Sequence, residues 1–133
     1  PLTLLAIRKD AELAVIEMGA NHLQEIASYC GYVLPTHGLI TNCGKAHLEG
    51  FGGEAGVKKG KGELFDYLKK NNAVAFIFND YDYLIEMSKG IPTIITYGTR
   101  DARIVRGSAR GGERQMRYSG LLSAVASGCV GYR

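Results

Sequence analysis

No apolar run in the chain approaches the roughly 18 residues that suggest a membrane span. The opening PLTLLAIRKD lacks the basic start, long apolar stretch and small-residue cleavage site of a signal peptide. It also lacks an initiator Met, so the expectation is an excised piece of a longer protein. Cysteine is scarce and odd in number. Cys30, Cys43 and Cys129 are far apart, with no metal-ligand spacing such as C-x-x-C, and read as free thiols in a reducing cytoplasm. There is no internal repeat. Lys is missing from residues 100–133, whereas residues 1–99 contain a single Arg, Arg8.

That last absence exposes a charge asymmetry. Residues 1–99 carry 9 Lys and Arg against 11 Asp and Glu, a balance of −2. Residues 100–133 carry 7 Arg against Asp101 and Glu113, a balance of +5. The change of character near residue 100 divides the chain into a first part, 1–99, and an Arg- and Gly-rich tail, 100–133. A basic tail can meet phosphate by charge alone. This one has only Tyr118 as an aromatic before Tyr132 and no nucleic-acid-binding motif, so no nucleic-acid partner is expected.

What remains is ordinary for a soluble globular domain: 133 residues, 46% hydrophobic and 22% charged. Four short apolar runs read as strands: ELAVIEM (12–18), HGLITN (37–42), AVAFIFN (73–79) and TIITYG (93–98). The segments between them read as helices. HLQEIASYCGYVL places Leu23, Ile26, Ala27 and Cys30 at helical spacing. GVKKGKGELFDYLKKN places Val57, Leu64, Phe65 and Leu68 on one side, with Lys69 and Lys70 where cations suit a helix end. YDYLIEMSKG carries Leu84, Ile85 and Met87 and closes on Gly90 before Pro92. PLTLLAIRKD reads as a further helix. Alternating strands and helices predict an α/β fold with a mostly parallel sheet and flanking helices. Beyond residue 98, RIVRGS (103–108) reads as an edge strand and GGERQMRYSG as a loop. LLSAVASGCVGYR reads as a short strand, a helical turn or disorder, in a poorly packed tail.

In an open parallel α/β sheet, ligands bind outside the carboxyl ends of the strands. Polar groups gather at those ends. Glu17 ends the first run in AVIEMGANH, followed by Asn21 and His22. Asn42 ends the second, with His47 five residues later. Asn79 and Asp80 end the third. A carboxylate and a neutral imidazole are suitable ligands for a divalent cation, and Mg2+ uses one or two carboxylates plus phosphate oxygens and waters. Taken singly, each residue has a plainer reading: Glu17 as a helix cap or ion-pair partner, His47 as a cap or surface imidazole, Asn42 and Asn79 as turn formers. Lys61 is one member of the cluster Lys58, Lys59 and Lys61, which alone reads as a solvated face. A lysine beside a metal can instead shift its pKa and react with carbon dioxide to give a carbamate.

Three stretches together, EMGANH followed by EI, TNCGKAHLEGFGG, and KGELF before FND, resemble the central domain of the ATP-dependent Mur ligases over about residues 1–98. GANH after the strand-end Glu is most similar to the member that adds D-Ala-D-Ala to UDP-N-acetylmuramoyl-tripeptide, and argues against the related folylpolyglutamate synthetases. The resemblance implies a cytoplasmic ligase of peptidoglycan precursor synthesis that uses ATP and Mg2+ and passes through an acyl phosphate. It implies Glu17 and His47 as metal ligands, Lys61 as a carbamylated catalytic lysine, and Asn79 as an adenine contact. It implies Asn21, His22 and Asn42 at the substrate rim. The family's phosphate-binding G-x-x-G-K-[ST] motif is missing from these 133 residues, because GVKKGKGEL has no Ser or Thr after its Lys. The isolated chain is therefore expected to be inactive. The competing expectation is a noncatalytic α/β binding or assembly module that self-associates.

Overall fold

The computed structural model describes residues 2–44, 51–100, 103–106, 116–117 and 129–132. The four predicted strands form: β1 (Ala14–Glu17), β2 (His37–Leu39), β3 (Val74–Phe78) and β4 (Thr93–Tyr97). The predicted helices form with them: α1 (Leu2–Leu5), α2 (Glu25–Val33), α3 (Glu54–Lys70) and α4 (Asp82–Met87). Three further strands, β5 (Arg103–Arg106), β6 (Met116–Arg117) and β7 (Cys129–Tyr132), join the same sheet, whose order is β1-β7-β2-β3-β4-β5-β6.

β2, β3 and β4 pair in parallel, with His37 opposite Val74 and Val74 opposite Thr93. β7 is antiparallel to both β1 and β2. β1 therefore runs in the same sense as β2 without pairing with it. All four predicted strands bring their carboxyl ends to one rim, as an α/β sheet requires.

Three expectations for the later segment change. The strand expected in RIVRGS forms as β5, Arg103–Arg106, but it is not an edge: it pairs antiparallel with β4 on one side and β6 on the other. The edge is β6, in a stretch expected to be a loop. Within LLSAVASGCVGYR the described residues Cys129–Tyr132 form β7, the short strand among the expected alternatives, but inside the sheet and not in a poorly packed tail. Ladder formation satisfies backbone N–H and C=O groups whatever the side chains are, so a Gly- and Arg-rich stretch with a weak strand pattern can still pair.

The core follows the helical and strand periods. On α3, Val57, Gly60, Leu64, Phe65 and Leu68 are buried, a stripe spaced for one helix face. α3 packs on α2, β2 and β3, and α4 packs on β3. On β3, Ala75 and Ile77 are buried and alternate with half-buried neighbours. On α2 the buried face is Ile26, Cys30 and Val33, whereas Leu23 and Ala27, expected to share it, are exposed. Leu23 lies before the first helical turn, where the helical angle does not apply. Leu68 and Leu84 are wholly buried, each side chain contributing about 1.5–3 kcal/mol by leaving water. Burial pushes the Cys30 thiol up to about 11, reinforced by the nearby Glu63 carboxylate. Cys30 and Cys43 are free thiols. Among the described residues no helix is long and apolar enough to cross a membrane.

Candidate functional site

The end of β3 is the best-defined part of the rim. Asn79 is 7% exposed, and its backbone N–H donates to the Tyr97 carbonyl at 2.8 Å. Asp80 reaches across to the turn after β4. It accepts from the Thr99 backbone N–H at 2.9 Å, the Thr99 hydroxyl at 3.0 Å and the Arg100 N–H at 3.0 Å. These bonds favour the ionised form, the Thr99 N–H most, and hold the Asp80 carboxyl below the usual carboxylate value. Arg100 closes the arrangement by donating to Asp82 at 2.6 Å and to the Asn79 carbonyl at 3.4 Å. Gly98, at φ +145, makes this turn possible. A Cβ there would come within 2.3 Å of Asn79 Oδ1.

At the end of β2, Asn42 is exposed and Lys61 is half-buried. The structure brings these two expected residues together: Lys61 Nζ donates to the Asn42 carbonyl at 2.6 Å. Asn42 Oδ1 in turn accepts from the Gly44 N–H at 3.0 Å, an Asx-type turn. The Cys43 N–H donates to the Tyr83 hydroxyl at 3.1 Å. Lys58 Nζ lies 5.2 Å from the centre of the Tyr83 ring, a cation–π distance. Tyr81 stacks on Tyr83 with centroids 5.4 Å apart, and Phe78 meets both Tyr81 and Tyr97. Burial raises the Cys43 thiol pKa, against the pull of Lys61 and Lys58.

After β1, two carboxylates shape the loop that carries Asn21 and His22, both exposed. Glu25 accepts from the Asn21 N–H at 2.7 Å and the His22 N–H at 3.2 Å. The Asn21 bond is the larger cause, and together they hold the Glu25 carboxyl below its ordinary value. Glu63 on α3 accepts from the Gln24 N–H at 2.6 Å and the Ala27 N–H at 3.0 Å. Glu17 stands exposed at the end of β1. β1 and β2 are separated by β7, two strand spacings or about 10 Å. His47 lies outside the described residues.

Sequence reasoning missed Glu63, Tyr83, Thr99 and Arg100. Thr99 and Arg100 act through both backbone N–H groups and side chains, and their partners Asp80 and Asp82 lie 18–20 positions away, a separation with no local signal.

Among the described residues, no group of three or more His, Cys, Asp or Glu could hold a metal. Mg2+ keeps several waters and needs only one or two protein carboxylates beside substrate phosphates. Glu17 fits as such a single donor, while an all-protein cage is not supplied by the described residues. A carboxamide complements the adjacent amine donor and ring-nitrogen acceptor of adenine, so Asn79 suits a base contact. A surface cavity of about 370 Å³, lined by Thr36, His37, Tyr67, Asn71 and Val74 among others, lies at the opposite end of β2 and β3. It contains none of the expected site residues.

Residues 1–127 match the Mur ligase middle domain family. Over 84 residues, 63% of this chain, the sequence is 44% identical to the UDP-N-acetylmuramoyl-tripeptide–D-alanyl-D-alanine ligase of Escherichia coli and 48% identical to that of Haemophilus influenzae. The matched stretch is 19% and 18% of those proteins, so the chain spans about a fifth of the length of these relatives. The crystal structure of MurF from Acinetobacter baumannii superposes on 90% of this chain and 30% of that one, with a TM-score of 0.64 and 27% identity.

Proposed function

We propose a function from one fixed premise: the chain belongs to the Mur ligase middle-domain family. It is part of a ligase of peptidoglycan synthesis, and we read its reaction as the one for which its relatives are named. In that reaction the terminal carboxylate of a UDP-N-acetylmuramoyl-tripeptide attacks the γ-phosphorus of ATP, and ADP leaves. The amine of D-Ala-D-Ala then attacks the acyl carbon of the resulting acyl phosphate. Phosphate departs with the electrons of the broken C–O bond, the nitrogen loses its proton, and an amide remains. Bound Mg2+ would neutralise the phosphate oxygens. The setting is the cytoplasm.

One observation carries this reading: the strand ends bearing Glu17, Asn42 and Asn79 share one rim of one sheet, with Lys61 bonded to the Asn42 loop. Glu17 and His47 would hold the metal. Asn79 would take the adenine edge from its buried seat between β3 and the turn after β4. Lys61, as a carbamate, would add negative charge for a second cation. Asn21, His22 and Asn42 would line the substrate side. The 133 residues contain no phosphate-binding loop motif, so this chain alone turns over no substrate.

The test is a chimera in which residues 1–98 replace the matching stretch of the Escherichia coli ligase, assayed for tripeptide- and D-Ala-D-Ala-dependent phosphate release. The chimera is expected to form the amide product, with Glu17→Ala, Lys61→Ala and Asn79→Ala each lowering kcat/KM at least tenfold. A folded chimera without ligation, or full activity in Glu17→Ala, would overturn the assignment.

A further inference from the structure

We propose that Glu63 and Glu25 are positioning residues for the substrate side of the rim: the two carboxylates hold four backbone N–H groups within residues 21–27, and so fix where Asn21 and His22 stand relative to Lys61. The inference rests on the substrate-side role read above for Asn21 and His22, and its test separates the two.

Residues 18–24 link β1 to α2 with neither helix nor strand of their own, and Gln24 makes no side-chain capping bond. Carboxylates from two helices hold this link. Glu25, in the first turn of α2, turns back so that its Oε2 accepts from the Asn21 N–H at 2.7 Å and the His22 N–H at 3.2 Å. Its Oε1 lies 3.5 Å from His22 Nδ1, so the same side chain also faces the imidazole. Glu63, on α3, accepts from the Gln24 N–H at 2.6 Å through Oε1 and from the Ala27 N–H at 3.0 Å through Oε2. Bonds to an ionised acceptor are roughly twice as strong as neutral ones. With both Glu63 oxygens engaged, direction is fixed as well as distance. Glu25 belongs to the turn that Glu63 holds, so the grip on Asn21 and His22 depends on Glu63 in turn.

Glu63 stands two positions after Lys61 on α3. Two residues turn a helix by roughly 200°, so the two side chains leave it on opposite sides. Lys61 Nζ reaches the Asn42 carbonyl after β2 at 2.6 Å, while Glu63 reaches the start of α2. One stretch of helix therefore sets the spacing between the Lys61 ammonium and the loop that carries Asn21 and His22. Asn79 ends β3, which lies on the other side of β2 from β1. A nucleotide with its base at Asn79 leaves the β1 side to the substrate that brings the carboxylate, the UDP-N-acetylmuramoyl-tripeptide. Loss of either Glu frees the β1 loop and leaves the β3 side in place, so it weakens that substrate and not ATP.

The test uses the chimera that carries residues 1–98 in the Escherichia coli ligase. Dissociation constants for the tripeptide substrate and for ATP are measured by calorimetry, beside kcat and KM. Glu63→Ala and Glu25→Ala are each expected to weaken the tripeptide about tenfold or more, an effect of the size that misplacement by about 1 Å produces, with ATP affinity changed less than about twofold. Glu63→Gln, which keeps one acceptor oxygen, is expected to recover part of the tripeptide affinity. A merely structural role would weaken both ligands or neither, and either result would overturn the proposal. Binding needs no turnover, so a chimera that shows this selective loss without ligating counts against the reaction read above and leaves the positioning role standing. Hydrogen exchange in the full chain needs no substrate, and it decides where the chimera binds neither ligand. Glu63→Ala is expected to speed exchange at Asn21 and His22 as well as at Gln24 and Ala27, with the β3 amides unchanged. Acceleration confined to Gln24 and Ala27 would reduce Glu63 to a cap of α2 and overturn the proposal.

Discussion

Removing the Glu63 carboxylate should loosen the start of α2, and the size of the effect can be worked from its contacts. A helix begins with four N–H groups that have no partner inside the helix. Gln24, at the N-cap of α2, has a left-handed backbone (φ 71) and makes no side-chain capping bond. The cap comes from α3 instead, where the two Glu63 oxygens accept from Gln24 and Ala27. Each hydrogen bond to a charged group is worth about 1.5–3 kcal/mol when well shielded. Glu63 is half-buried, so solvent screening lowers that figure, while the helix dipole adds about 0.3–1 kcal/mol. Glu63→Ala is therefore expected to cost about 2 kcal/mol. Glu63→Gln, which keeps one acceptor oxygen and loses the charge, is expected to cost about 1 kcal/mol. For a chain of this size the alanine variant should melt roughly 6–10 °C lower. Urea unfolding followed by circular dichroism measures both variants. Loss of less than about 0.5 kcal/mol in Glu63→Ala, or indistinguishable Ala and Gln variants, would refute the capping role.

Two other perturbations test separate parts of the structure. On α3, Ala is intrinsically better than Gly by about 1 kcal/mol, but a Cβ at Gly56 would lie 1.7 Å from the Phe51 carbonyl oxygen, whereas one at Gly62 would meet only Met87 Cε at 3.4 Å. Gly56→Ala is expected to destabilise by roughly 2 kcal/mol or more and Gly62→Ala to be neutral or stabilising; reversed urea midpoints would contradict the packing of Phe51 on α3. At the other end of the rim, the folded pKa of Asp80 is lowered, chiefly by the Thr99 N–H. Its contribution is thus present above the ordinary carboxylate pKa and lost as pH falls through the lower folded value. The Thr99 amide resonance should shift only below the ordinary carboxylate range, and Asp80→Asn should abolish that titration. A Thr99 shift that persists in Asp80→Asn would assign it to another group.

The sequence made the four parallel-sense strands and α3 readable because their signals are local. Apolar runs such as AVAFIF are bounded by polar residues, and Val57, Leu64, Phe65 and Leu68 repeat at helical spacing. The strand ends then follow, which is why Asn42 and Asn79 could be placed at the rim from sequence, whereas the Lys61–Asn42 contact came only from the structure. What escaped it is nonlocal. β7 lies 90 positions from the end of β2, and CVGY has no pattern that selects an interior position. Glu63, in KGKGELF, looks like one more solvated charge until α2 is packed against α3 and its N–H groups face the carboxylate. Leu23 was misplaced because helical spacing was extended past the point where the helix begins.

These contacts make α3 the organiser of the rim. One face of the helix is fixed in the core by Val57, Leu64, Phe65 and Leu68. Its other side reaches three separate segments: Lys58 lies over the Tyr83 ring on α4, Lys61 bonds the Asn42 carbonyl after β2, and Glu63 bonds the start of α2. Charged groups that alone would be a solvated stripe thus help to position segments that also pack on the core through Ile26, Cys43 and Tyr83. The core face sets where α3 sits, and the polar face transmits that position to the loops. A substitution that shifts α3 along the sheet should therefore disturb the Asn42, Tyr83 and Gln24 contacts together. One that alters a single rim loop should leave the other two in place.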